Sequence, residues 1–163
     1  MFNYNRLVLT VNANNIPNAL VFYITVIADT SESEVGVYVM LDGKTQQITH
    51  QAGTIVSHRD FSHKNYSNSL DSTLRIEIDK MHILLFTVTV VDFKLESRVG
   101  GSGRCYDYLE INGTKYCASE LSSNGRLTYV SATGSLNFEF HTDGGIQAKG
   151  FLLEYNYGYY RKF

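Results

Sequence analysis

The chain has 163 residues, with 14 basic against 16 acidic side chains and a net charge of −2. A nucleic-acid-binding protein carries a clearly basic face, so this charge balance argues against nucleic acid as a partner. No run of about 18 apolar residues occurs, and the sequence therefore predicts no transmembrane segment. The motifs G-x-S-x-G, H-E-x-x-H and the P-loop do not occur either, and we expect a protein that is not an enzyme.

Short apolar stretches follow one another along the whole chain, without the 3.6-residue period and end caps of helices. Apolar and polar residues alternate in LRIEI (74–78) and SLNFEF (135–140), as in strands with one buried face. Many short strands with turn signals between them predict an all-β fold, an antiparallel β-sandwich or jelly roll. The predicted strands are 6–11, 20–28, 35–41, 53–57, 74–79, 83–95, 106–111, 114–117, 126–131, 135–141 and 151–157.

The stretch 83–95 is the longest apolar-rich one and predicts a central buried strand. We expect one face of it to pack on the apolar face of the strand at 135–141. The side chains expected in contact are Phe86, Val88 and Val90 from the first strand and Leu136, Phe138 and Phe140 from the second.

Two dipeptides predict hairpin turns, because both central positions of a type I′ turn need a positive φ. Asp42-Gly43 predicts a hairpin from the strand 35–41 into KTQQIT, and Asn112-Gly113 predicts a second hairpin within residues 104–117. The register of the second hairpin pairs Ile111 with Thr114, Glu110 with Lys115 and Leu109 with Tyr116.

The only two cysteines, Cys105 and Cys117, lie at the two ends of this second hairpin. A pair of cysteines alone leaves a disulfide and a reduced buried pair both open. Their position across the hairpin favours a disulfide.

Asn65 and Asn112 begin two N-glycosylation sequons and favour secretion. The polar N-terminus is not a signal peptide, so the protein is either cytosolic or part of a longer secreted chain.

A polar stretch, KTQQITHQA at 44–52, marks the predicted boundary between a leading β segment (1–47) and a main domain (48–157). Three or four leading strands are too few to bury a core. They must pack on the rest, pair with a missing partner or belong to a neighbouring domain. The tyrosine-rich end (158–163) is expected to be a tail.

From residue 53 onward the order of motifs resembles a CUB domain, the extracellular β-sandwich of complement proteases, procollagen-processing proteins and many receptors. The closing pattern F-x-F-x-x-D followed by G-F-x-x-x-Y is the most specific part. The matching stretches are GTIVS (53–57), ILLFTVTVVDFKLE (83–96), CYDYLEI (105–111), LNFEFHTD (136–143) and GFLLEY (150–155). The first cysteine pair of the family is missing, so the chain resembles a divergent member that keeps one disulfide.

The resemblance implies a Ca²⁺ site at one end of the sandwich, held by Glu96, Asp107 and Asp143. Three carboxylates converging on one point would repel each other unless a cation or protons intervened. Oxygen ligands from carboxylates, backbone carbonyls and water are those that Ca²⁺ prefers. The carbonyl of Gly145 is a further candidate ligand, and Tyr66 is expected to orient a carboxylate from behind.

Two functions follow. The resemblance implies an extracellular recognition or adhesion module, in which a Lys or Arg of a protein partner meets the calcium-site carboxylates. The alternative is a structural subunit of an extracellular assembly or filament, joined by β-strand exchange through residues 1–47.

Overall fold

The fold is all-β, as expected, in a computed structural model that describes residues 36–78, 82–98 and 103–160. Within these ranges no helix is long and apolar enough to cross a membrane. The predicted strands 6–11 and 20–28 lie outside the described residues. The ten strands are β1 (Val37–Met40), β2 (Thr45–Ile48), β3 (Ala52–Val56), β4 (Asp71–Glu77), β5 (Leu84–Lys94), β6 (Tyr108–Ile111), β7 (Thr114–Tyr116), β8 (Arg126–Ser131), β9 (Ser135–His141) and β10 (Gly150–Tyr159).

The strands form two five-stranded sheets that face each other across one core. The first sheet has the order β1-β3-β10-β5-β8, and the second has the order β2-β4-β9-β6-β7. The sheets are mixed rather than purely antiparallel, because β1 pairs with β3 and β2 pairs with β4 in parallel. These parallel pairs lie at one edge of each sheet.

The hairpin predicted at Asp42-Gly43 is wrong. A turn does occur there, with Gly43 at φ 83° and its N–H donating to Ser72 Oγ at 2.7 Å. However, β1 belongs to the first sheet and β2 to the second, so the turn carries the chain across the sandwich. The dipeptide predicts a change of direction correctly, but not which strand the following residues pair with.

Strands β1 and β2 lie at the edges of the two sheets, and the described residues belong to one compact unit. The predicted leading segment therefore contributes its last residues to the two sheets. Residues 1–35 lie outside the described part of the chain. Assembly by strand exchange through them stays a prediction.

The second predicted hairpin is confirmed. Asn112 and Gly113 have φ angles of 48° and 86°, as a type I′ turn requires. The observed pairs are those expected: Leu109 with Tyr116, Glu110 with Lys115 and Ile111 with Thr114.

The core forms as expected between β5 and β9. The inward side chains of β5 at positions 86, 88 and 90 are at most 1% exposed, and so are those of β9 at positions 136, 138 and 140. All six belong to one apolar cluster. Strand β5 is hydrogen-bonded on both edges, to β10 and to β8. Nearly every second residue along it is buried, because one face of the strand packs on the core.

A β-bulge near the end of β5 sets the direction in which the chain runs into Glu96. The register with β10 shifts between Leu152 and Leu153, so Val91 has no partner and its side chain is exposed. The extra residue changes the alternation, and Phe93 and Leu95 turn inward instead of Asp92. Beyond them the chain reaches position 96 at one end of the sandwich.

Candidate metal centre

Three carboxylates meet at this end of the sandwich. Glu96 follows β5, Asp107 precedes β6 and Asp143 follows β9. Because β6 and β9 are antiparallel, the start of one lies beside the end of the other, with Tyr108 paired to His141. Carboxylate oxygens of the three acids lie within 4.8 Å of one another. The structure therefore brings together the three acids that the sequence analysis named.

Burial differs among the three acids. Glu96 is 6% exposed and Asp107 is 1% exposed, whereas Asp143 is half-buried. Charged groups removed from water in this way need partners, because their hydration is lost. Asp143 is the acid that presents an edge to solvent.

Asp107 is held by two hydrogen bonds. Its Oδ2 accepts the hydroxyl hydrogen of Tyr66 at 2.5 Å, and its Oδ1 accepts the backbone N–H of Asp143 at 2.8 Å. An ionised carboxylate has about four lone-pair sites, so both oxygens can still bind a cation. The side chain is held in one orientation from inside the fold.

Tyr66 lies behind the acids and is fully buried. Its ring packs edge-to-face on Phe140, with ring centroids 5.4 Å apart. Its hydroxyl oxygen also accepts the backbone N–H of Glu96 at 3.0 Å. Burial first, and then the hydrogen bond to Asp107, raise the pKa of Tyr66 above its usual range, so it remains a donor. One hydroxyl thus connects the segments that carry two of the acids.

Glu96 carries the strongest indication of a cation-binding site. Its Oε2 atom is buried and has no hydrogen-bond partner among the described residues. Burial raises the pKa of Glu96, and the charges of Asp107 and Asp143 raise it further. Buried polar atoms almost always have partners. This acceptor without a donor, facing two other carboxylates, fits a bound metal ion.

The loop after β9 is held by hydrogen bonds. The backbone N–H of Gly145 donates to Asp143 Oδ1 at 2.6 Å, and the carbonyl of Gly145 accepts from Asn68 Nδ2 at 2.9 Å. A carbonyl oxygen has a second lone pair, so a metal-ligand role for Gly145 stays a prediction. Asn68 was missed by the sequence analysis, because no local pattern links it to a loop 76 residues later.

Cys105 and Cys117 form the predicted disulfide, with Cα atoms 5.8 Å apart. The residue after Cys117, Ala118, donates its N–H to the carbonyl of Glu96 at 3.1 Å and accepts from Leu95 at 2.8 Å. The disulfide therefore ties the segment before Asp107 to a loop that also holds Glu96. Arg98 and Glu120 also form an ion pair between the same two segments.

The two sequon asparagines are both exposed. Asn65 donates to the carbonyl of Gln147 at 3.3 Å, and Asn112 occupies the hairpin turn. Glycosylation at either position stays a prediction.

Known proteins of similar sequence or structure agree with this architecture. A profile of the CUB domain family matches residues 43–155. The full extracellular region of zebrafish Gpr126/Adgrg6 contains a similar structure, with 26% identity and a TM-score of 0.55 over 70% of this chain. This chain covers 14% of that region. No curated protein sequence matches the chain.

Two MASP-1 structures share the fold. The CUB1-EGF-CUB2 domain of human MASP-1/3 is 22% identical with a TM-score of 0.54, over 69% of this chain and 41% of that one. The MASP-1 CUB2 domain bound to Ca²⁺ is 20% identical with a TM-score of 0.53, over 68% of this chain and 96% of that one. With more than half of its residues matched by the family profile, the chain belongs to the CUB domain family.

Proposed function

We propose that this protein is an extracellular calcium-binding module that recognises a protein partner through the loops around Glu96, Asp107 and Asp143. CUB domains are generally extracellular protein–protein interaction modules. The observation that carries the calcium assignment is the buried Oε2 of Glu96, which has no hydrogen-bond partner among the described residues. It faces two more carboxylates within 4.8 Å.

The donor set favours Ca²⁺ over other metals. Every candidate ligand is an oxygen, and zinc or copper sites normally include histidine or cysteine. Three carboxylates leave room for a backbone carbonyl and water molecules to complete six to eight ligands. Mg²⁺ requires a tighter octahedron and loses its water reluctantly, so we expect it to bind poorly. The related MASP-1 CUB2 domain was solved bound to Ca²⁺.

Because Asp143 is only half-buried, we expect the partner to contact it with a basic residue. Bound Ca²⁺ would neutralise part of the negative charge of the centre, and the accessible edge of Asp143 would accept hydrogen bonds from a Lys or Arg of the partner. Such binding depends on calcium and weakens at high salt.

Calcium-dependent thermal unfolding tests the metal assignment. An ion that binds the native state selectively raises the melting temperature. Millimolar Ca²⁺ should therefore raise the melting temperature of chelated protein, and Mg²⁺ should have a much smaller effect. Asp107→Asn should greatly reduce the calcium response, because it removes one ligand charge. Its amide oxygen can still accept the hydrogen bond from Tyr66.

Asp60→Asn is the matched control, because Asp60 is exposed, pairs with Lys64 and does not belong to the cluster of three acids. It should keep the full calcium response. Identical melting of the wild-type protein with Ca²⁺ and with chelator would exclude the proposed site.

A further inference from the structure

A shallow groove of about 520 Å³ lies beside the metal centre. Arg104, Tyr106, Tyr108 and Lys115 line it, and Asp143 of the metal centre forms one end. The groove is therefore contiguous with the carboxylates but differs from them in carrying two permanent cations. A calcium site does not by itself explain why two cations lie beside the three carboxylates.

The groove and the metal centre share one stretch of chain. Asp107 points into the fold and is buried, whereas its neighbours Tyr106 and Tyr108 are half-buried and line the groove. The same residues that present a carboxylate to the metal centre thus present two aromatic rings to the outside.

One cation lies over the face of each tyrosine ring. The guanidinium carbon of Arg104 lies 5.3 Å from the ring centre of Tyr106, and Nζ of Lys115 lies 3.7 Å from the ring centre of Tyr108. A cation–π contact uses the face of the ring and leaves N–H groups available for an anion.

The two cations differ in how far they are neutralised. Arg104 makes no ion pair with any described residue, whereas Lys115 Nζ forms a long ion pair with Glu110 Oε2 at 3.9 Å, with the lysine side chain half exposed. A long, exposed pair of this kind leaves most N–H groups of Lys115 available for another carboxylate. Arg98, by contrast, is already bound to Glu120 and to the carbonyl of Gly103.

The disulfide holds the two cations in place relative to each other. Arg104 immediately precedes Cys105, and Lys115 lies two residues before Cys117. The loop that carries one cation is thus covalently joined to the strand that carries the other. A site organised before binding loses less conformational entropy when its ligand arrives.

We propose that this groove binds a carboxylate side chain, Asp or Glu, of the partner protein. The inference rests on the proposed function, since the partner's basic residue would lie next to it on Asp143. The partner then carries one basic and one acidic side chain close together. Arg104 and Lys115 donate hydrogen bonds to the carboxylate, and the two tyrosines form the walls.

The surrounding charges favour one carboxylate over a polyanion such as a sulfated polysaccharide. Asp143 closes one end of the groove, and Glu110 lies near Lys115. His141, which also lines the groove, is hydrogen-bonded through Nδ1 to Oδ1 of Asp71 at 2.6 Å, so a further carboxylate lies on that side of the groove. An extended anion would meet these carboxylates, whereas a single side chain contacts only the cations between them.

Peptide titration by NMR of the calcium-saturated full chain tests the proposal. The probes are acetyl-Gly-Lys-Gly-Glu-Gly-amide, the same peptide with Gln in place of Glu, and a heparin-derived disaccharide. The Glu peptide should shift the amide signals of residues 104–108 and 115 and bind about threefold to tenfold more tightly than the Gln peptide.

Arg104→Gln and Lys115→Gln should each reduce this preference and leave the calcium-induced rise in melting temperature unchanged. Arg126→Gln is the control, because Arg126 is an exposed arginine on β8 in the other sheet. It should change neither property.

Equal binding of the Glu and Gln peptides, or no shift in these signals up to about 10 mM peptide, overturns the groove proposal even if calcium binds. Tighter binding of the disaccharide, lost in the same two variants, overturns the carboxylate assignment in favour of a sulfated glycan. If the calcium response is absent but the Glu preference persists in chelator, the groove stands and the proposed metal site fails.

Discussion

The hydroxyl of Tyr66 lies 2.5 Å from Oδ2 of Asp107, and both side chains are buried. The same hydroxyl oxygen accepts the backbone N–H of Glu96. Tyr66 therefore orients one acid of the metal centre through its side chain and another through its backbone. If Ca²⁺ binds as proposed, Tyr66 would influence calcium binding without contacting the metal.

Tyr66→Phe should lower both stability and calcium affinity. The change leaves the N–H of Glu96 and Oδ2 of Asp107 without their partner, which should cost about 1–3 kcal/mol of unfolding free energy in chelator. Losing a group that orients a ligand should weaken calcium binding about 10- to 100-fold. Urea unfolding and calorimetric titration measure the two effects.

Tyr155→Phe is the matched control for this prediction. Tyr155 is buried and donates to the carbonyl of His50 at 3.2 Å, which is not part of the metal centre. The control should lose stability but keep calcium affinity. If Tyr66→Phe also keeps wild-type affinity, its hydroxyl has no orienting role.

In calcium-free protein, ionisation of Glu96 should lower the free energy of unfolding as the pH rises, which is the opposite of the usual effect of a carboxylate. Burial, and then the charges of Asp107 and Asp143, raise the pKa of Glu96 above its usual 4.5 in the folded state. The folded protein therefore binds this proton more tightly than the unfolded chain. The resulting stabilisation is fully present below about 4.5 and is lost as the pH rises through the raised pKa.

Glu96→Gln isolates this contribution, because it removes the titrating group. In calcium-free buffer at pH 7 the variant should be more stable than the wild type, and the difference should shrink as the pH falls toward 4.5. With calcium the order should reverse, because the variant lacks the Glu96 carboxylate and gains less stability from the bound ion. Urea unfolding at several pH values measures this, and a pH-independent difference would contradict it.

Removing the disulfide by the paired change Cys105→Ser and Cys117→Ser should lower stability by somewhat less than about 3 kcal/mol, because the closed loop is short. The sequence separation of the two cysteines is 12. The variant should also bind calcium more weakly, since the disulfide ties the segment before Asp107 to the loop that holds Glu96. Urea unfolding and calorimetry measure both, and thiol titration of the wild type should find no free cysteine.

Phe138→Ala should cost about 3–5 kcal/mol, as expected for a large side chain removed from a packed core. Phe138 is 0% exposed and lies on β9 opposite the inward face of β5. Tyr38→Ala is the control, because Tyr38 is 57% exposed and the change should fall within about 0.5 kcal/mol. A loss below about 1 kcal/mol for Phe138→Ala would contradict its place in the core.

Local patterns predicted much of the secondary structure. The hairpin around Asn112-Gly113 was predicted with its register, because positive φ angles and the alternation of Leu109 and Ile111 are set by neighbouring residues. The strands at 126–131 and 135–141 were predicted with their observed limits. The turn at Asp42-Gly43 was predicted as a turn, but its pairing was not.

Local sequence patterns did not predict the pairing between strands that are distant in the sequence. The strands of the parallel pairs β1–β3 and β2–β4 are not joined to each other by a hairpin turn, so no local signal specifies their pairing. The bulge opposite the Leu152–Leu153 step is equally invisible in the sequence, although it decides that Phe93 and Leu95 turn inward. The contact of Asn68 with the loop after β9 also joins residues that no spacing rule relates.

By itself the sequence determined an all-β chain, its central buried strand and its hairpin. Through family motifs it also indicated the three acids as candidate calcium ligands. Only the tertiary structure decided that Glu96, Asp107 and Asp143 lie within 4.8 Å and that Oε2 of Glu96 has no described partner. The physical reason is range. Alternation and turn angles depend on adjacent residues, whereas the burial and charge of a site arise from chain segments brought together by folding.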